Sequence, residues 1–148
     1  MNYHLVILKK PYLDAILAGR KTVESRFYKT RQYWLSRVAA GDKLFLKVSS
    51  GPVRATAIAA EVKSFDNLTA PKIAELKQRY NQKIAGDDLY WREKSNSRFG
   101  ILIWLKDVKP ITPRFIQKAD WRAWVVLTKT ESFGLVDVQS GGLSEVSC

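Results

Sequence analysis

The sequence is short of the residues that carry the commonest metal, disulfide and nucleophile chemistry. Its one cysteine is Cys148, the last of 148 residues, which excludes an internal disulfide framework and a cysteine-rich metal site. Its one histidine is His4. With no histidine pair and no Cys-x-x-Cys, zinc catalysis is not expected, and a lone histidine in a strand reads first as a satisfied structural residue. No Gly-rich phosphate loop of the Walker or Rossmann kind occurs. No apolar run approaches the length of a bilayer span, and the first residues lack a signal-peptide h-region, so a cytoplasmic location is expected. No internal repeat or second domain is visible. Acidic residues are also scarce: 14 Asp and Glu stand against 25 Lys and Arg, a formal net charge of +11 with a pI near 9.9.

A hydrophobic fraction of 46% in a chain of this length is enough for one domain with a real core. Cations spread along the chain are interleaved with five Trp, six Tyr and six Phe, the mixture expected where phosphates are held and bases stacked. Acidic partners are implied; the plainer reading of the same charge is a merely soluble cation.

Period-2 and period-3.6 patterns place the elements. Strands are expected near residues 3–8, 23–28, 43–49, 53–63, 99–108 and 122–128. Helices are expected from Pro11 to Ala18, over part of Gln32 to Ala39, and within Phe65 to Asp88, where Ile73, Leu76, Tyr80 and Ile84 follow helical spacing. Asp87 to Arg98 reads as a partly helical connection carrying Tyr90 and Trp91 beside Arg92, Lys94 and Arg98. Those rings either stack on bases or anchor the segment to the core. Lys109-Pro110-Ile111-Thr112-Pro113 is expected to break the strand before it, and residues 136–148 to form a flexible tail.

The chain is organised around Gly19-Arg20-Lys21-Thr22-Val23-Glu24-Ser25-Arg26, where a helix gives way to a strand. Gly19 supplies the permissive backbone that follows a helix C-terminus. Alternation then puts Glu24, Arg26 and Tyr28 on one face of the strand, and Lys21 can reach its mouth. A cluster of this kind can be no more than a surface ion-pair network fixing the turn, or it can grip a phosphate and move a proton.

This stretch resembles the GxKxxExR signature of the ASCH domain, a PUA-like family, through Gly19, Lys21, Glu24 and Arg26. The resemblance continues in Ala40-Gly41-Asp42-Lys43-Leu44-Phe45-Leu46 and in Phe99 to Leu105, and covers roughly the first two thirds of the chain. It implies an α+β fold, a PUA-like small mixed β-barrel of five to six strands with flanking helices, over residues 1–135. It also implies an RNA-binding protein, with ribonuclease action on single-stranded RNA as the leading expectation. A non-catalytic reader of RNA or of a modified base is the alternative, with Trp91, Tyr28 or Trp34 stacking on the base. An N4-acetylcytidine amidohydrolase comes third, because the position three after Lys21 holds Glu24 where that branch has a threonine; Thr22 is adjacent but faces the other way, and Glu75 stands for that branch's downstream glutamate only by a loose alignment.

The expected catalytic set is Lys21, Glu24, Arg26, Tyr28 and Ser97, with Ser95 as an alternative hydroxyl. The expected RNA contacts are Lys21, Arg26, Arg54, Trp91, Arg92, Lys94 and Arg98. No cofactor is called for, although a magnesium or manganese ion held by Glu24 and waters remains open. The oligomeric state, a homodimer included, is open as well.

Overall fold

Short runs of β-branched and aliphatic residues, alternating across the pleat, build the strands of this computed structural model, which describes residues 1–139 and 142–146. The main strands are β1 (Tyr3–Leu8), β2 (Val23–Tyr28), β3 (Lys43–Val48), β4 (Val53–Phe65), β5 (Phe99–Arg114) and β6 (Trp124–Val126). They form one sheet in the order β2-β5-β4-β3-β1-β6. Only β1 and β3 run parallel, with Leu5 opposite Phe45; every other pairing in this sheet is antiparallel. The helices are α1 (Lys10–Leu17), α2 (Ala70–Ile84) and α3 (Asp88–Lys94), with a 3-10 turn at Tyr33–Arg37. The result is a curled half-barrel of the PUA-like α+β kind.

Curvature comes from the two longest strands. The β4–β5 ladder shifts register three times, and such irregularities bend and twist a sheet. Ala55, Ala57 and Ala59 leave room on the inner face of β4, where they meet Val6, Leu8, Leu44, Leu46, Ile101 and Ile103. The outer face is covered in two places. Val23, Phe27 and Leu102 pack under Ile73, Leu76 and Ile84 of α2 and Trp91 of α3. Leu5, Phe45 and Val125 pack under Leu135 and Val136.

Local chemistry fixes the helices. Pro11 occupies the first turn of α1, where its missing N–H is least costly. Thr69 Oγ1 accepts the Lys72 amide at 3.3 Å to cap α2, and Asp87 accepts the Tyr90 amide at 2.7 Å to cap α3. Between the two helices the Asn81 side chain bonds both the amide and the carbonyl of Gly86 and accepts the Trp91 indole N–H at 2.9 Å.

Three expectations are corrected here. β5 does not break at Lys109-Pro110 but runs on to Arg114; beyond Trp104 its only ladder partner among the described residues is β4, and an edge of this kind tolerates proline. The strand expected at 122–128 shrinks to Trp124–Val126. Residues 136–148, expected as a flexible tail, instead provide β7 (Val136–Gln139) and β8 (Gly142–Glu145), an antiparallel pair, while residues 140–141 and 147–148, Cys148 among them, lie outside the described residues.

Candidate nucleic-acid interface

The signature turn is clasped between two helix ends. After α1, Gly19 takes a φ of +79°, and the amides of Arg20 and Lys21 both donate to the Ala15 carbonyl, at 2.9 and 3.1 Å. The Thr22 amide donates to the Lys83 carbonyl in the last turn of α2 at 2.9 Å. This places Lys21 against the C-terminal end of α2, where unpaired carbonyls favour a cation. Its ammonium donates to the Ile84 carbonyl at 2.7 Å and the Val23 carbonyl at 3.1 Å, lies 3.6 Å from Glu24 Oε1, and sits 5.3 Å from the Tyr12 ring centroid. Only 3% of Lys21 is exposed. Burial lowers its pKa, with Glu24 acting in the opposite sense.

Glu24 is held equally deep. Its Oε1 accepts the Ser25 amide at 2.8 Å, while Oε2 lies 3.5 Å from Arg26 Nη2 and has no hydrogen-bond partner among the described residues. Arg26 reaches across the seam of the half-barrel, from edge strand β2 to the far side of the sheet. It donates to the Ile7 carbonyl at 2.8 Å and to the Ala123 carbonyl at 3.4 Å, and its guanidinium lies 5.5 Å from the Trp124 ring. Burial opposes its charge, but Glu24 and Tyr28 outweigh that, so its pKa rises. Burial raises the Tyr28 phenol.

These groups open onto a cleft of about 340 Å³. Lys21, Glu24, Arg26, Tyr28 and Lys94 all line it, so five of the residues singled out in the sequence share one wall. Tyr12 and Tyr90 add aromatic surface, their rings 6.2 Å apart and edge to face. The Tyr90 hydroxyl pairs with Ser25 Oγ at 2.7 Å and donates to the Ser25 carbonyl at 3.1 Å. Burial pushes the Tyr90 phenol strongly up, so it stays a donor.

The remaining candidates lie elsewhere. Trp91 is 4% exposed and packs on Phe27 with ring centroids 5.8 Å apart; it anchors α3. Trp34 is buried and stacks on Trp124 at 4.2 Å. Ser97 is buried and off the cleft wall. Arg54 pairs with Asp14 at 3.0 Å. Arg92, with Ser95, lines a separate groove between α2 and α3, and Arg98 is exposed away from the cleft. Thr22 is exposed and off the wall, and Glu75 pairs with Lys72 on α2, so neither joins Lys21 in the cleft as the third expectation needs. The sequence pattern does not single out Ser25 or Tyr12 on the cleft wall: Ser25 alternates away from Glu24 and Arg26, and Tyr12 reads as an ordinary apolar helix position.

The cleft is a poor divalent-metal site. Glu24 already faces two cations, the other acid on the wall is Glu93, and no group of three or more His, Cys, Asp or Glu side chains converges among the described residues.

Residues 6–140 match the ASCH domain family. The chain belongs to that family. The fold agrees. The crystal structure of ASCH from Zymomonas mobilis superposes with a TM-score of 0.67 at 18% identity, covering 87% of this chain and 90% of that one. A serine-to-alanine mutant of the same protein gives 0.68 at 18% identity with the same coverage, and a tyrosine-to-phenylalanine mutant gives 0.67 at 18%, covering 88% and 94%. At this identity the likeness establishes the ASCH fold. A search of curated protein sequences gave no significant match. ASCH domains are PUA-like, a class whose members generally bind RNA. No helix among the described residues of this ASCH domain is long and apolar enough to cross a membrane.

Proposed function

We propose that this ASCH domain takes one nucleotide of single-stranded RNA into the cleft and cleaves the strand there. The observation that carries the reading is Glu24 on the cleft wall, its carboxylate set between Lys21 and Arg26 and its buried Oε2 without a hydrogen-bond partner among the described residues. An oxygen in that position is an acceptor awaiting a donor from a ligand. In the cleavage step the RNA 2′-hydroxyl attacks the adjacent phosphorus and its proton passes to Glu24 Oε2. The bond from phosphorus to the 5′-oxygen breaks, leaving a 2′,3′-cyclic phosphate. Arg26 faces the charge that builds on the phosphorane. Lys94, whose pKa burial lowers, protonates the departing 5′-oxygen.

A specific observation favours a second reading, a domain that binds without cutting. Lys21 and Arg26 spend donors on the backbone carbonyls of Val23, Ile84, Ile7 and Ala123, so they hold the cleft's shape first. Glu24 Oε2 then accepts from a nucleobase amino group and the tyrosines wall the base.

Labelled single-stranded RNA, incubated with wild type and Glu24→Gln with and without EDTA, separates the two. Cleavage to a cyclic phosphate, insensitive to EDTA and lost in Glu24→Gln while RNA is still bound, supports the first reading. Salt-sensitive binding with no cleavage leaves the second. Absence of binding at low salt rejects both.

A further inference from the structure

Trp121 is fully solvent-exposed, at 100% of its surface, and Phe115 on the same connection between β5 and β6 is 81% exposed. Two of the other tryptophans, Trp34 and Trp124, stack on one another in the core, Trp91 of α3 is buried against α2 and Phe27, and Trp104 is partly buried against Tyr80. An indole left wholly in water forgoes the apolar burial that makes tryptophan a core residue, and it leaves a flat ring face open for a base to stack on.

The connection is not loose around it. Arg122 makes paired contacts to Asp120, Nε to Oδ1 at 3.1 Å and Nη2 to Oδ2 at 2.8 Å, and further contacts to Glu131, with Nη1 2.8 Å from Oε1. Lys118 donates to Asp120 Oδ1 and to the Asp120 carbonyl, both at 2.8 Å. Two cations and two acids therefore neutralise one another on either side of Trp121 and fix the backbone that carries it, so the ring stands where there is little local net charge.

Its position ties it to the cleft. Ala123 lines the cleft, and its carbonyl accepts both Arg26 Nη1 and the Ile7 amide. Trp121 is two residues away, at most about 7 Å of extended chain. Lys9 and Lys94 also stand on the cleft wall, two cations of the kind that hold phosphates.

From this we infer that Trp121 is a stacking platform for the base of the nucleotide adjoining the one in the cleft, so that the domain grips at least two successive nucleotides of a single strand. The inference rests on the RNA reading of the cleft. Stacking on an exposed ring tolerates any base, so the platform adds affinity and a minimum substrate length without adding sequence preference.

The test measures binding of a single-stranded RNA hexamer and of a mononucleotide to wild type, Trp121→Ala and Trp121→Phe at low salt, by anisotropy and by quenching of tryptophan emission. The expected result is a roughly 10- to 100-fold loss of hexamer affinity in Trp121→Ala, near-wild-type affinity in Trp121→Phe, and no change for the mononucleotide. Because the side chain touches solvent alone, all three proteins should melt together. Wild-type binding of the hexamer that Trp121→Ala matches overturns the platform and leaves the cleft reading standing. Failure of wild type to bind the hexamer overturns both. A concentration-dependent dimer lost in Trp121→Ala, with RNA affinity unchanged, reassigns the surface to self-association and overturns the platform.

Discussion

Glu24→Gln tests whether the buried charge cluster is one unit. The carboxylate lies 3.6 Å from Lys21 Nζ and 3.5 Å from Arg26 Nη2. At an effective dielectric near 20 each contact has a gross Coulomb attraction of about 4.7 kcal/mol, most of it offset by the cost of holding three charged groups out of water. The amide of glutamine keeps an acceptor for the Ser25 amide but strips the countercharge from two cations buried side by side. Breaking a buried pair in this way costs about 3–5 kcal/mol, and the low end fits here because Lys21 and Arg26 retain four backbone carbonyls. For a chain of this size about 3 kcal/mol lowers Tm by roughly 6–12 °C. Lys21→Met should also destabilise, by leaving the Ile84 and Val23 carbonyls unpaired. In the double variant the lost attraction is not counted twice, so the two effects should fall short of additive by about 1–3 kcal/mol. Urea unfolding of the four proteins, with m-values compared, reads the cycle. Additivity within about 0.5 kcal/mol, or a Glu24→Gln protein as stable as wild type, would refute the geometry on which the cleft chemistry stands.

Two further predictions concern the scaffold. His4 is fully buried, its Nε2 2.8 Å from Asp42 Oδ2 and its Nδ1 accepting the Trp124 indole N–H at 3.0 Å; burial lowers its pKa below the ordinary 6.5, with Asp42 opposing. The unfolded chain therefore takes up the proton first, so this contribution is complete above about pH 6.5 and is lost as pH falls. The urea midpoint should drop between pH 7 and 5 in wild type and less so in His4→Gln; equal slopes would contradict the assignment. At Gly100 a Cβ would lie 2.5 Å from Phe27 Cδ1 and 3.2 Å from Leu68 Cδ1, so Gly100→Ala should cost about 1–3 kcal/mol by overpacking. A thermal melt unchanged by that substitution would show that β2 and β5 have slack which the structure does not contain.

Local order was legible from neighbouring residues alone. Alternation placed β1 and β2 at residues 3–8 and 23–28, the spacing of Lys21, Glu24 and Arg26 named the family, and one strand's pleat turned Glu24, Arg26 and Tyr28 to a common side, because each of these depends on neighbours a few positions apart. Whatever depends on which distant surfaces meet came only with the folded chain. Trp91 stands beside Arg92, and Trp34 three positions from Arg31 and Arg37, as base-stacking rings would, yet both are buried, and only the packing of the 3-10 turn on Trp124 and of α3 on Phe27 shows it. Pro110 reads as a breaker until β5 is seen to have lost one of its neighbours. The duty of Arg26, closing the seam onto Ile7 and Ala123, and the contact of Ser25 with Tyr90, join residues 19, 97 and 65 positions apart. Patterns of period 2 and 3.6 report which way a side chain points from its own backbone; what it points at is set by the curl of the whole sheet.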